Sequence, residues 1–187
     1  MNNRLSLWLA LGLLQLAVPS WMILRQERTL VSGHEYRLRL APVDPADPFR
    51  GRFMNLAFDI EAEPVALNCP PPGEHSCELY AALATGPDGF ATLGSVGTAV
   101  PDGDYLVIPS QNWHYDWKQK TQVRIRVPFH AFYLNEDRAA EVEGRARDLV
   151  QQARKKGIKA DVHALVRVKD GNAVLTALQG PDNQPLR

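Results

Sequence analysis

Three features of the sequence predict an α+β protein, with an N-terminal transmembrane helix followed by a β-rich, mostly antiparallel domain that carries one long amphipathic helix near the C-terminus. The first is an uncharged run from Leu5 to Leu24. The second is a series of short apolar runs of period two, punctuated by turns rich in glycine, proline and aspartate. The third is one apolar stripe at helical spacing between Ala139 and Ala153. This divides the chain into a membrane anchor with its flanks, 1–28, and a β-rich domain, 29–187. With 187 residues, 45% of them hydrophobic and 22% charged, the composition is globular and suits one domain plus an appendage. A formal net charge of zero and the lack of a basic arm argue against nucleic acid as a partner.

The anchor comes first. Leu5 to Leu24 is about twenty residues, the length that crosses a hydrocarbon core, and Ser6, Gln15, Pro19 and Ser20 are its only interruptions. Trp8 and Trp21 lie near its ends, where interfacial aromatics sit. A cleaved signal peptide is the competing reading, since Val18-Pro19-Ser20 offers a small residue before a cut. Pro19 beside that site and the apolarity through Leu24 favour a retained anchor. Charge leaves the orientation open, with Arg4 on one side and Arg25 and Arg28 on the other.

Glu35 to Leu40 predicts a first strand, with Tyr36, Leu38 and Leu40 inside and Arg37 and Arg39 outside. It leads into Ala41–Ile60, where Pro42, Pro45 and Pro48 make a stiff, non-helical corner. Asp44 and Asp47 each precede a proline, a position from which a short carboxylate holds turn donors, and Arg50 beside Gly51 is close enough to pair with them. The corner is either a rigid structural lead-in or a polar recognition platform next to the membrane, since only about fifteen to twenty residues separate it from the anchor. From Phe53 the chain alternates, with Met54, Leu56 and Phe58 on one apolar face of a strand.

Cys69 and Cys77 bracket a short turn between apolar runs, a placement that lets a disulfide close a hairpin and puts the domain outside the cytoplasm. His75 between them makes a metal site the weaker alternative, because no second ligand pair accompanies it. Further strands are predicted at Leu79–Thr85, Phe90–Val100, Tyr105–Ile108, Gln122–Val127 and Ala131–Leu134. Gly86-Pro87-Asp88-Gly89 and Pro101-Asp102-Gly103-Asp104 supply turns. In Trp113-His114-Tyr115-Asp116-Trp117 the aromatics alternate as one face of a strand, although such density in a loop also suits gripping a sugar or peptide. Asn135 caps the long helix, Glu136 and Asp137 complement its dipole, and Arg154, Lys155, Lys156 and Gly157 end it. Two last strands, Ala160–Val168 and Asn172–Leu178, flank the hairpin signal Asp170-Gly171.

Asp44-Pro45, Asp47-Pro48 and Arg50-Gly51, followed by Phe53, Leu56 and Phe58, resemble the signature of the GDYXXLXY domain family of bacterial membrane-anchored proteins. Arg52 stands in place of the motif's aspartate, and Phe53 and Phe58 in place of its tyrosines, so rings are kept while hydroxyls and a carboxylate are lost. Phe132-Tyr133-Leu134-Asn135-Glu136, the helix, Asp170-Gly171 and Gly180 follow the family's order. The resemblance implies a single-span anchored domain commonly found alongside a larger polytopic membrane protein, and it supplies no reaction. Gly103-Asp104-Tyr105 before an apolar run also looks like a strand opening in membrane-anchored signal peptidases, but their Ser-Met nucleophile and lysine base have no counterpart.

No nucleophile elbow or phosphate-cradling loop is present, and Ser95 lies inside a strand-like run. The expectation is therefore a periplasmic, single-pass accessory or interaction protein of the bacterial inner membrane, partnered by a polytopic membrane protein and without cofactor. The alternative is an envelope enzyme using carboxylates such as Asp44, Asp47 and Glu136, or working in signal-peptidase style, or a module that binds a cell-envelope ligand.

Overall fold

The computed structural model describes residues 3–41, 53–67, 78–115, 122–133, 136–157 and 162–186. Helix α1, Asn3–Ser32, opens the chain and holds Pro19 in its interior. It is long and apolar enough to cross a membrane by length and composition. Its large apolar side chains are largely uncovered by the rest of the protein: Leu7 is 70% exposed, Leu13 70% and Trp21 65%. Among the described residues, the large exposed hydrophobics are all on α1 apart from Val100.

The domain is built from small antiparallel sheets. Strands β1 (His34–Arg39), β10 (His163–Lys169) and β11 (Asn172–Gln179) form one, in the order β1-β10-β11. A second pairs β2 (Phe53–Asn55) with β9 (Ala131–Tyr133). A third has the order β3 (Val65–Ala66), β8 (Gln122–Ile125), β7 (Trp113–Tyr115), and a fourth the order β5 (Ala91–Gly97), β4 (Leu79–Thr85), β6 (Tyr105–Ile108). Single bridges string them together: Leu40 with Phe58, Leu67 with Val96, and Leu106 with Gly171. Small sheets of this kind are marginal alone and need a shared hydrophobic face. One core supplies it. Leu38, Phe58, Leu79, Leu106, Ile108 and Val166, from several of these sheets, are each at most 1% exposed and belong to a single cluster.

Period two explains the burial. Leu38 and Leu40 point inward on β1, while Leu79, Ala81 and Leu83 do so on β4. Arg39 corrects the expectation for β1. It is not an outward charge: its side chain is 14% exposed, its guanidinium lies 3.8 Å over the Phe90 ring, and it pairs with Asp88 at 3.3 Å. The turn between β4 and β5 folds back over this strand, so the stem packs while the head finds a carboxylate. The Asp88 carboxyl is held below its usual range by the Phe90 backbone N–H and then by Arg39.

Helix α2, Glu136–Lys155, ends with Gly157 at φ +67, the left-handed stop the sequence calls for. Its contribution to the main core comes from Ala146, Val150 and Ala153, with Leu149 beside them. As a packing element it is therefore short, in contrast to the long amphipathic helix expected. Half of the apolar stripe is alanine, and Val142, although buried, falls outside that core.

Glu61 ends a single 3-10 turn, Asp59–Glu61. One carboxylate oxygen accepts the Phe58 backbone N–H at 3.2 Å and the other the Val127 N–H at 2.8 Å, so this side chain ties the segment after β2 to the segment after β8. Burial raises its pKa, and the two backbone donors oppose the rise without cancelling it. A raised folded-state pKa means that stability falls as pH rises from the unfolded carboxylate value through the folded one. Glu61→Gln keeps one acceptor and loses the other, so it should destabilise the domain by about 1 to 3 kcal/mol and flatten that pH dependence in melts run across the acid range.

Candidate functional site

The last four carbonyls of any helix need donors from outside it. In α1 the last turn holds no basic residue, so sheet and helix side chains must supply what the helix lacks. Arg167 of β10 donates to the Leu30 carbonyl at 2.6 Å, and Lys169 donates to the Ser32 hydroxyl at 2.7 Å. Asn172 of β11 donates to the Thr29 hydroxyl at 2.9 Å, which itself donates to the Arg25 carbonyl at 3.1 Å. Thr29 is only 2% exposed. The two cations also sit where the negative end of the helix dipole is strongest.

Gly33 is the single residue between α1 and β1, and its N–H bonds to the Thr29 carbonyl at 2.9 Å. A Cβ there would stand 2.5 Å from the Thr29 carbonyl oxygen and 3.0 Å from that of Val168. Only glycine lets the helix end lie directly against β10. The apolar helix therefore enters the domain without a linker.

Beside this clamp, Asp104 gathers polar partners from β1. His34 Nδ1 lies 2.6 Å from its Oδ2, and the Tyr36 hydroxyl donates to the same oxygen at 2.8 Å. Partial burial, helped by the bond to Asp104 and its charge, pushes the Tyr36 hydroxyl up to about 12. The tyrosine therefore stays a donor throughout the physiological range. This arrangement can orient the exposed imidazole of His34, but no serine, threonine or cysteine nucleophile contacts it among the described residues. The neighbouring Tyr105 ring packs on Gly171, where φ is +76 and a Cβ would stand 2.5 Å from the ring.

The residues that the sequence singles out are not those of the clamp. Asp44, Pro45, Asp47, Pro48, Arg50 and Gly51 are outside the described residues, as are Cys69, Cys77 and His75. The root of the corner is described: the Ala41 N–H bonds to the Ala57 carbonyl, and Leu40 bridges Phe58. Eight extended residues, about 25 Å of chain, separate that root from Gly33, so the root lies at the end of β1 remote from the helix, in contrast to the expected position next to the membrane. Phe53 opens β2 opposite Tyr133. Leu56 and Phe58 are core residues, 2% and 1% exposed. Glu136 is the first residue of α2. Among the described residues no three His, Cys, Asp or Glu side chains cluster as metal ligands.

Thr29, Arg167, Lys169 and Asn172 were not singled out by sequence reasoning, although one signal existed. No helix breaker stands between Leu24 and Gly33, so the helix had no reason to stop where the charges return.

The clamp makes a two-sided prediction. Gly33→Ala should cost about 1 to 3 kcal/mol, through overpacking against backbone that cannot yield, and should raise hydrogen exchange at Thr29–Gly33. Gly144→Ala, at a helical glycine with open space around it, should instead stabilise by about 0.5 to 1 kcal/mol. Thermal melts of the full chain in detergent check both signs.

Neither curated proteins nor solved structures provide a match to this chain. A family model described as GDYXXLXY protein matches residues 15–178, which takes in the second half of α1 and nearly all of the domain. The chain belongs to the GDYXXLXY protein family.

Proposed function

We propose that this chain is a single-pass inner-membrane protein whose periplasmic domain serves as an accessory or interaction subunit for a polytopic membrane protein, with no catalytic role of its own. The linker-free clamp between α1 and the β1-β10-β11 sheet carries this reading. A tethered enzyme gains reach from a flexible linker; a subunit that reports or imposes position needs its domain fixed to its anchor. The apolar exposure points the same way, because α1 holds the large apolar surface available for a partner.

The finer parts of the proposal follow from the sequence. α1 is retained as the anchor, Cys69 and Cys77 close a disulfide that belongs to an oxidising compartment, and the domain lies on that side. The Asp44, Asp47 and Arg50 corner forms a polar recognition surface. Springing from the end of β1 remote from α1, it would meet a soluble part of the partner while the helix meets a membrane-embedded part. Arg50 is its discriminating residue, since lysine cannot copy a bidentate pairing with carboxylates.

Photo-crosslinkers placed at Leu13 on the helix and at Pro87 on the domain, in native membranes, test this. Both positions should capture the same polytopic protein. A flexible insertion between Ser32 and Gly33 should leave capture from Leu13 intact and abolish capture from Pro87. If domain capture survives the insertion, or if neither position yields an integral-membrane partner, the subunit reading fails.

A further inference from the structure

The end of α1 and the tip of the β10–β11 hairpin enclose an open groove of about 190 Å³, lined by Trp21, Leu24, Arg25, Arg28, Lys169 and Asp170 among others. Trp21, Leu24, Arg25 and Arg28 follow helical spacing, so they share one face of α1, and the hairpin supplies the opposite wall. Polarity is graded along the groove. Trp21 and Leu24 are apolar, Arg25 and Arg28 come next, and Lys169 closes the end nearest the domain.

Three cations face one carboxylate here. Arg25 and Arg28 form no ion pair or side-chain hydrogen bond among the described residues, whereas the nearby Arg167 is used twice, on the Leu30 carbonyl and on Glu35 at 3.8 Å. Three cations outnumber the one carboxylate, so the groove favours an anion.

If the anchoring proposed above is right, its depth names the anion. An uncharged run of about twenty residues at about 1.5 Å each fills the roughly 30 Å hydrocarbon core and leaves Leu24 at its edge. Arg25 and Arg28 then occupy the next few ångströms, which is where phospholipid phosphates lie.

We propose that this groove seats one anionic phospholipid, its phosphate held by Arg25 and Arg28 with Lys169 behind, and its glycerol and upper acyl chain resting on Trp21 and Leu24. Arginine forks match phosphate oxygens in bidentate fashion, and an indole suits the interface. The lipid would fill the angle between helix and hairpin and thereby brace the clamp.

The test uses the full chain and the double variant Arg25→Gln/Arg28→Gln, whose side chains take no part in the clamp. Both are placed in nanodiscs of phosphatidylcholine alone or of an equal mixture with phosphatidylglycerol, then released and analysed by native mass spectrometry. The wild type should retain one phosphatidylglycerol in preference to phosphatidylcholine, and added inorganic phosphate should not displace it. The double variant should bind it about thirtyfold more weakly, at about fivefold per cation removed. Equal retention of both lipids, equal retention by wild type and variant, or displacement by inorganic phosphate would each overturn the proposal. An alkaline wash of native membranes addresses the anchor separately: release of the chain sinks the membrane reading itself, while retention without lipid preference sinks only the groove.

Discussion

The polar groups at the end of α1, the Leu30 carbonyl and the Thr29 and Ser32 hydroxyls, must find donors, and those that reach them stand on strands more than a hundred residues further along the chain. Much of the arrangement depends on that one requirement. Because Arg167, Lys169 and Asn172 satisfy the helix end, β10 and β11 must lie against it, and β1 must begin within one residue of Ser32. Gly33 permits the approach through its lack of a side chain. Once β1 is placed, its register with β10 runs unbroken from His34 opposite Val168 to Arg39 opposite His163, and the sheet's position relative to the helix is fixed.

From this sheet the order spreads through single bridges rather than long ladders. Leu106 meets Gly171 at the hairpin tip, where the Tyr105 and Val107 side chains leave no room for a Cβ, so the β5-β4-β6 sheet is held to the same corner that holds the helix. At the opposite end of β1, Leu40 meets Phe58 and brings in the β2 segment, and Glu61 just beyond reaches Val127. Each link is one or two hydrogen bonds, worth about 1 kcal/mol apiece. The shared core behind them supplies the larger share of the stability.

Local pattern was legible wherever local physics decides. The strands Leu79–Thr85 and Tyr105–Ile108 stand at the bounds that alternation and flanking turns indicate, and Asp170-Gly171 turns the hairpin with both residues at positive φ. Trp113 and Tyr115 lie half-buried on one strand face with His114 exposed, as their spacing implies. What escaped depends on contacts remote in sequence. Arg39 looks like an outward charge until Phe90 and Asp88 fold over it, and Glu61 looks like a surface acid until Val127 arrives 66 positions later. The helix end was missed for the same reason: return of charge after Leu24 marks where apolar surface stops, whereas the helix continues until its carbonyls are capped. The proline corner and the cysteine pair lie outside the described residues, so their expected roles rest on sequence alone.

The central claim is that anchor and domain form one rigid unit. Spin labels introduced as non-natural amino acids at Leu16 on the helix and Asp182 beyond β11, in the full chain in lipid nanodiscs, measure it through their distance distribution. A rigid clamp predicts one narrow distribution that broadens when Arg167→Ala and Asn172→Ala are combined. A broad distribution in the unaltered chain, or one indifferent to that double substitution, would contradict the account.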